Sequence, residues 1–235
     1  MSALLSTRAL TRHFAGLKAV QAVDLDLTRG EVRALIGPNG AGKTTLVGML
    51  CGRIAPTSGT VSFDGQDISH LPAHKRINLG IAYTFQITSV FANLSVFENV
   101  ALAARRRLHG DVTGAVTDAL ARVGLREDPQ QNAGDLAYGH QRLLEIAMGL
   151  VQSPRLLILD EPTQGLADSE IEDFKALIRG LAGETTILLI EHNMSVVMQI
   201  ADAITVLNFG QVLAEGTPAE IHANADVQAA YLGTG

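Results

Sequence analysis

Apolar and polar positions follow two different spacings along the chain, and together they predict an α/β protein. Residues 19–27 (AVQAVDLDL) alternate apolar and polar side chains, as in a strand with one buried face. Short apolar runs within residues 30–37 (GEVRALIG), 155–162 (RLLILDEP) and 185–192 (TTILLIEH) are typical of buried strands. These four segments predict the strands around which the domain is built.

Helical spacing fills much of the chain between these strands. Residues 43–50 and 168–182 each predict one helix, and residues 59–68 predict a hairpin. From about 94 to 150 the pattern is helical with little strand character. The order predicts a strand-helix-strand core with a helical insertion, in which residues 1–235 form a single domain.

Composition narrows the class of protein. The 235 residues are 47% hydrophobic and 18% charged, which predicts a folded domain with a substantial core. The formal net charge of −6 argues against a nucleic-acid-binding function, since proteins that bind nucleic acid usually carry a basic surface. Cys51 is the only cysteine, so no disulfide can form within the chain, and we expect a buried apolar role for it.

Hydropathy along the chain predicts no membrane-spanning segment. Residues 1–14 lack an apolar core long enough for a signal peptide. No run approaches the roughly 18 apolar residues that are needed to span a bilayer. We therefore expect a soluble protein whose work at a membrane goes through a partner.

The most specific motif lies between the strand at 30–37 and the helix at 43–50. It reads G-x-x-x-x-G-K-[ST], the pattern of a loop that holds the phosphates of a nucleotide. Its glycines permit backbone angles at which N–H groups turn toward phosphate oxygens, and the following helix N-terminus adds partial positive charge. Lys43 is placed to reach the terminal phosphates, and the Thr44 hydroxyl to bind Mg²⁺. The predicted nucleotide-binding residues of this loop are Gly37, Pro38, Asn39, Gly40, Ala41, Gly42, Lys43, Thr44 and Thr45.

Two acids end the apolar run at 155–162. Asp160 stands at the end of the predicted strand, where a carboxylate can hold Mg²⁺ through water. Glu161 follows and is expected to point to the opposite side, as adjacent strand residues do, where it can deprotonate an attacking water. Acids at strand ends are common, so this interpretation depends on the phosphate loop upstream.

A short segment that precedes these acids in the sequence distinguishes between the classes of protein that bind a nucleotide with such a loop. It opens a predicted helix and resembles the signature of ABC ATPases, whose common form is L-S-G-G-Q. The resemblance implies that it contacts the ATP bound by a second subunit. The usual serine, whose hydroxyl donates to that γ-phosphate in the family, is an alanine here. The matching residues are Leu136, Ala137, Tyr138, Gly139, His140 and Gln141.

Other landmarks of the same family stand in order along the chain. Gln86 matches the glutamine that in the family contacts Mg²⁺ and reports to the membrane subunit. Residues 165–168 (GLAD) match the D-loop, and His192 matches the histidine that contacts the γ-phosphate. Phe14 matches the aromatic residue that stacks on adenine. The resemblance spans nearly the whole chain and identifies it as a member of the ABC ATPase family.

Finer features are similar to the ATP-binding subunits of branched-chain amino acid importers. The segments LAYG, EIA, IEHNM and AYLG carry this similarity, and urea and amide importer subunits share much of it. The resemblance implies a P-loop core with an antiparallel β subdomain and a helical lobe at about 94–150. It also implies an ATPase that uses ATP and Mg²⁺ to power import. The implied catalytic residues are Glu161, His192 and Gln86, and the implied metal ligands are Thr44, Gln86 and Asp160.

The resemblance also implies partners. These are a second nucleotide-binding subunit, identical or related, transmembrane permease subunits and, indirectly, a solute-binding protein, with no nucleic acid. They place the chain at the cytoplasmic face of the cell membrane as a peripheral subunit. Contact with the permeases is expected within residues 87–100, where Phe91 and Phe97 are candidate contacts.

Two other classes of protein remain as alternatives. Soluble ABC proteins that act on DNA or ribosomes usually carry tandem domains or long insertions. A P-loop kinase or GTPase would need an acceptor pocket or a guanine-reading motif such as N-K-x-D, and the sequence contains no such motif.

Overall fold

The computed structural model of the protein describes residues 3–84 and 89–232. Across these residues the strands form an antiparallel sheet and a mostly parallel sheet. The antiparallel sheet has the order β2-β1-β4-β5 and includes the predicted hairpin. Its strands are β1 (Ala3–Phe14), β2 (Leu17–Thr28), β4 (Ser58–Phe63) and β5 (Gln66–Asp67).

The larger sheet carries the buried strands that the apolar runs predict. Its order is β10-β9-β3-β8-β7-β6, and only the pairing of β10 with β9 is antiparallel among the described pairs. Every residue of the central strands β3, β7 and β8 is buried. The strands are β3 (Val32–Ile36), β6 (Ile81–Thr84), β7 (Leu156–Asp160), β8 (Thr186–Ile190), β9 (Ala203–Asn208) and β10 (Gln211–Gly216).

Helices cover the parallel sheet and build the insertion. In the core these are α1 (Lys43–Leu50), α2 (Ala73–Asn78), α6 (Asp168–Leu181), α7 (Met194–Ile200), α8 (Pro218–Ala223) and α9 (Ala225–Leu232). The predicted helical stretch holds α3 (Val96–Ala104), α4 (Thr113–Arg122), a 3-10 turn (Ala133–Asp135) and α5 (Tyr138–Leu150). A capping box of Ser95 and Glu98 fixes the start of α3, because each residue satisfies a backbone N–H of the other.

The apolar core ties the inserted helices to the sheet that carries the site. One continuous cluster joins Val100 of α3, Leu144 of α5 and Phe174 of α6 to Leu157 and Leu159 of β7. The inserted helices therefore share a core with the strand that ends in the predicted acids. A second cluster lies between the two sheets.

Cys51 lies in this second cluster, next to the C-terminus of α1. The side chain is buried, and this burial raises the pKa of its thiol to about 12. The expected buried apolar role of the cysteine fits this position.

Within the described part of the chain, no helix combines the length and the hydropathy of a bilayer-crossing segment.

Candidate nucleotide site

The parallel sheet brings the predicted site residues to one edge. Strands β3, β8 and β7 are neighbours and run in the same direction, so their carboxyl ends meet. Asp160 at the end of β7 pairs with Ile190 at the end of β8, and the Glu161 N–H donates to the Ile190 carbonyl over 2.9 Å. The phosphate loop follows β3 at this edge. The register of these neighbouring strands thus brings residues from three separate motifs to the same edge of the sheet.

The phosphate loop depends on glycine at defined positions. Gly37 and Gly42 have φ angles of 153° and 103°. A Cβ at Gly37 would overlap the Leu207 carbonyl oxygen, and one at Gly42 would overlap the Ala19 carbonyl oxygen. Any side chain at either position would therefore push the loop away from β9 or β2.

Lys43 at the start of α1 is folded back onto the loop. Its Nζ donates to the carbonyl oxygens of Gly37 over 2.6 Å and Pro38 over 3.1 Å. Burial lowers the pKa of Lys43, while the nearby carboxylates of Glu161 and Asp160 act in the opposite direction. A bound phosphate would replace the two carbonyls as partners of a lysine that is already in place.

A cavity of about 600 Å³ opens beside the loop. Its described lining contains Asn39 through Thr45 of the loop together with Glu161. Its apolar wall is built from Leu17 and Phe209, whereas Phe14 stands apart from this lining with the Arg12 guanidinium 4.4 Å from its ring centroid. The stacking role of Phe14 stays a prediction.

Asp160 is a buried carboxylate that suits a cation. Burial raises its pKa, and its Oδ2 accepts a hydrogen bond from the Tyr83 hydroxyl over 2.8 Å. A buried carboxylate gains from a nearby positive charge, and Mg²⁺ prefers a few oxygen ligands completed by water and substrate phosphates. The Asp160 carboxylate and the Thr44 hydroxyl therefore fit Mg²⁺. Gln86, the third predicted ligand, lies outside the described residues.

Glu161 is aimed by a turn rather than by strand alternation. Strand β7 ends at Asp160, and Glu161 has a φ of 49°, in the left-handed region. The expectation that alternation sets its direction was wrong in this detail. The turn places Glu161 in the cavity lining, with its Oε1 3.9 Å from Nδ1 of the exposed His192. The structure thus brings together the predicted base and the predicted γ-phosphate contact.

Glu191 is a site residue that the motifs did not reveal. Its buried carboxylate accepts hydrogen bonds from the hydroxyl and N–H of Thr163 and from the N–H groups of His192 and Asn193, over 3.0–3.1 Å for the backbone donors. It therefore joins the loop after Glu161 to the loop that carries His192. The sequence signal that could have revealed this role is a carboxylate at the end of a predicted apolar strand, directly before a histidine.

The predicted signature begins α5. Ala137 is the N-cap of the helix, Gly139 is buried in its first turn, and the Gln141 amide donates to the Leu136 carbonyl over 3.0 Å. His140 pairs with Glu127. A Cβ at Gly139 would overlap the carboxylate of Glu170 on α6. Close packing against α6 thus accounts for glycine at this position.

The predicted D-loop, residues 165–168, lies against the same helix start. A Cβ at Gly165 would lie 3.1 Å from Cε1 of Tyr138, the first residue of α5. Because Thr163 is held by Glu191, the site loops and the helix start at 138 are linked through one short segment.

Replacing Ala137 by serine tests the N-cap position. A serine hydroxyl can accept from an N–H of the first turn and still donate to a phosphate. For Ala137→Ser we expect the free energy of unfolding to rise by about 1 kcal/mol. ATP-driven dimerisation should tighten by up to about tenfold, since a hydrogen bond to a charged acceptor contributes about 1.5–3 kcal/mol at best.

Denaturant unfolding and ATP-dependent dimerisation measure the two effects separately. Ala137→Gly is the matched control, since glycine also caps helices but has no hydroxyl to donate. A serine variant that dimerises more than tenfold more weakly than the parent would contradict the prediction.

The chain is similar to known proteins over nearly its whole length. The family description "ABC transporter" matches residues 20–164. BraF of Pseudomonas aeruginosa, a high-affinity branched-chain amino acid transport ATP-binding protein, is 43% identical over 98% of each chain. The chain belongs to the ABC transporter family. LivG of Escherichia coli strain K12, another high-affinity branched-chain amino acid transport ATP-binding protein, is 41% identical over 98% of each chain.

The fold of this ABC protein matches solved ATP-binding cassettes. The ADP conformation of MJ1267, an ATP-binding cassette of an ABC transporter, aligns with a TM-score of 0.91 at 26% identity, covering 99% of this chain and 100% of that one. A second family description, "Branched-chain amino acid ATP-binding cassette transporter", matches residues 211–235. The predictions of family, fold class and ATPase activity are confirmed, and ABC domains of this kind bind ATP or ADP.

Proposed function

We propose that this chain is the ATP-hydrolysing subunit of an importer for branched-chain amino acids. The observation that most supports this proposal is that Lys43, Glu161 and His192 lie close together at the carboxyl edge of one sheet. The names of BraF and LivG, and the match of residues 211–235, support the solute class. Importers of urea, amides or other small organic solutes are the second candidate, because their subunits resemble this group.

Each side chain has a distinct task in hydrolysis. The loop from Gly37 to Thr45 and the Lys43 ammonium hold the phosphates. Glu161 accepts the proton of the attacking water, and His192 contacts the γ-phosphate. Thr44 and Asp160, with Gln86 as a further predicted ligand, would hold Mg²⁺, which supplies charge neutralisation on the phosphates.

Two such domains are proposed to close around two ATP molecules. The residues at the sheet edge face one ATP, and the α5 start at 136–141 faces the ATP of the partner. The exposed Ala137 at the helix N-terminus supports this arrangement, since helix N-termini attract phosphate. Residues 1–235 act as one nucleotide-binding domain, with the helical lobe at about 94–150 presenting the signature.

The proposed permease contact is an apolar groove next to the helical lobe. Phe91 and Leu102 are 51% and 45% exposed, and both line a cavity of about 260 Å³ together with Tyr83 and Glu145. Phe97 instead packs against the core and is less suited to this role. The groove lies at the edge of the predicted stretch 87–100, of which residues 87 and 88 lie outside the described residues. In the proposed assembly the subunit is peripheral and lies on the cytoplasmic side of the membrane, and a solute-binding protein is an indirect partner.

Phe91→Asp tests this contact. We expect the variant to fold and hydrolyse ATP but to lose copurification with the cognate permeases by about tenfold or more, because an unpaired charge would be desolvated in the contact. The measurement is recovery of permeases with tagged subunit from co-expressing membranes. Leu102→Asp should behave alike, whereas Phe97→Asp should lower the thermal stability. Unchanged permease recovery with Phe91→Asp would contradict the groove.

Recovery from native membranes also tests the function as a whole. Copurified permeases with solute uptake that depends on ATP support the importer. Ribosomes or DNA among the recovered partners would instead favour a soluble ABC protein. Uptake assays with labelled leucine, urea and short amides in the reconstituted complex separate the candidate solutes.

A further inference from the structure

Strand β6 places a tyrosine hydroxyl against the carboxylate of Asp160. Tyr83 of β6 is opposite Ile158 of β7 in the parallel pairing of the two strands. Because side chains two residues apart on a strand point to the same face, Tyr83 lies on the face of the sheet that carries Asp160. The Tyr83 hydroxyl donates to Oδ2 of Asp160 over 2.8 Å. Strand register thus accounts for a contact between two residues that are 77 positions apart in the sequence.

The ring of Tyr83 is held independently of this carboxylate. It packs against the apolar cluster between the two sheets, to which Ile158 also belongs. The Arg53 guanidinium lies 5.5 Å from the ring centroid, within the distance of a cation–π contact. The hydroxyl is therefore presented to Asp160 from a set position.

The Asp160 carboxylate depends on this hydroxyl for its orientation. Its side chain is buried, and within the described part of the chain Tyr83 is the only residue that donates a hydrogen bond to it. The Lys43 ammonium donates instead to two carbonyl oxygens of the phosphate loop. Burial raises the pKa of Asp160, and the Tyr83 hydrogen bond acts in the opposite direction because it favours the charged form.

A hydrogen bond of this kind matters more for a bound metal than for the fold. Carboxylates that bind metals are usually hydrogen-bonded in turn, and the outer partner fixes their direction. Mg²⁺ demands near-ideal octahedral geometry, so its binding is sensitive to the direction of each oxygen ligand. The hydroxyl occupies one oxygen of Asp160, and the other oxygen can bind a cation or its bound water.

We propose that Tyr83 is a positioning residue that orients the Asp160 carboxylate for Mg²⁺. This inference rests on the proposed function, because the Mg²⁺ site belongs to it. Tyr83 lies outside the sequence motifs and outside the described lining of the cavity beside the phosphate loop. It therefore acts through Asp160 rather than by contact with the nucleotide.

Tyr83→Phe tests the inference, because phenylalanine removes only the hydroxyl and keeps the ring in the apolar cluster. The probe is Mn²⁺, which prefers the same oxygen ligands as Mg²⁺ and is followed by electron paramagnetic resonance. In the full chain loaded with ADP, which is not hydrolysed, we expect the Mn²⁺ affinity to fall by about tenfold, as for loss of an outer hydrogen bond at other metal sites. The affinity for metal-free ADP, measured by isothermal titration in EDTA, should stay unchanged.

Thr7→Val is the matched control. It removes another buried hydroxyl, one that donates to the Val23 carbonyl within the antiparallel sheet, and the Mn²⁺ affinity should stay at the wild-type value. Wild-type Mn²⁺ affinity in Tyr83→Phe would overturn the inference. Equal losses of ADP affinity with and without the metal would overturn it as well, because the hydroxyl would then support the fold of the site as a whole.

The Mg²⁺ dependence of ATP hydrolysis gives a second readout. In Tyr83→Phe the Mg²⁺ concentration for the half-maximal rate should rise by about tenfold, and the maximal rate should recover at high Mg²⁺. A purely structural tyrosine would not give a defect that added metal repairs, so a rate that stays low at every Mg²⁺ concentration would contradict the positioning role.

Asp160→Asn separates this inference from the proposed function. It should weaken Mn²⁺ binding, and adding Tyr83→Phe should then have no further effect, because the hydroxyl acts through this carboxylate. If Asp160→Asn binds Mn²⁺ normally, the metal role of Asp160 in the proposed function fails, and the role of Tyr83 fails with it. If Asp160→Asn weakens Mn²⁺ binding while Tyr83→Phe does not, only the positioning role fails.

Discussion

Glu161→Gln is expected to lower the rate of ATP hydrolysis by about 10²-fold or more, while ATP still binds. Glutamine keeps the shape of the side chain, but its amide cannot accept the proton of the attacking water. The left-handed turn at Glu161 and its N–H bond to the Ile190 carbonyl should persist. Lys43 and the phosphate loop are unchanged, so nucleotide affinity should be too.

Phosphate release and equilibrium ATP binding measure the two halves of this prediction. ATP-dependent dimers should accumulate, because hydrolysis no longer reopens them. Glu184→Gln is the matched control: this exposed acid pairs with Arg122 and precedes the start of β8, at the edge of the sheet opposite Glu161. Turnover at the wild-type rate in Glu161→Gln would remove Glu161 from the role of base.

Gly139→Asp is expected to weaken ATP-driven dimerisation by about 10²-fold or more and to leave ATP binding by the monomer intact. A Cβ at Gly139 would overlap the Glu170 carboxylate, so any side chain forces α5 and α6 to adjust. Aspartate also places a negative charge where the partner's phosphate is proposed to approach. Juxtaposed like charges cost several kcal/mol, and each 1.4 kcal/mol is about tenfold in affinity.

The experiment uses the Glu161→Gln background, in which hydrolysis does not compete with dimerisation. Gly139→Ala measures the steric effect without added charge. Adding Glu170→Ala to Gly139→Asp separates the causes, since it should restore dimerisation only if the clash within the chain is responsible. Normal dimerisation of Gly139→Asp in this background, together with normal hydrolysis when Gly139→Asp is made alone, would show that residues 136–141 do not act as a signature.

The helices and strands could be predicted from the sequence wherever a single local pattern, such as helical spacing or an apolar run, marks the element. The helix predicted at 43–50 is α1, and the apolar runs are β3, β7 and β8. Strand β1 (Ala3–Phe14) was not predicted as a strand. Its pairing shifts register at several points and Ala9 has a φ of 46°, so bulges disrupt the alternation that marks a strand.

The chemical roles of the site residues could be predicted from the sequence more fully than their positions in space. Lys43 and Asp160 follow from motifs whose physical reasons are local. The link from Glu191 to Thr163 joins two loops that are 28 residues apart, and it depends on the neighbouring ends of β7 and β8. The hydrogen bond from Tyr83 to Asp160 likewise depends on the pairing of β6 with β7, which are distant in sequence.

The burial of Cys51 makes this protein well suited to site-specific labelling. A thiol with a pKa of about 12 is almost entirely protonated at neutral pH, and its side chain is inaccessible to bulky reagents. Because it is the only cysteine in the chain, a new cysteine at an exposed position would react with a maleimide dye almost without background. Donor and acceptor dyes at such a position in two subunits would therefore follow dimer closure in real time, without first removing the native thiol.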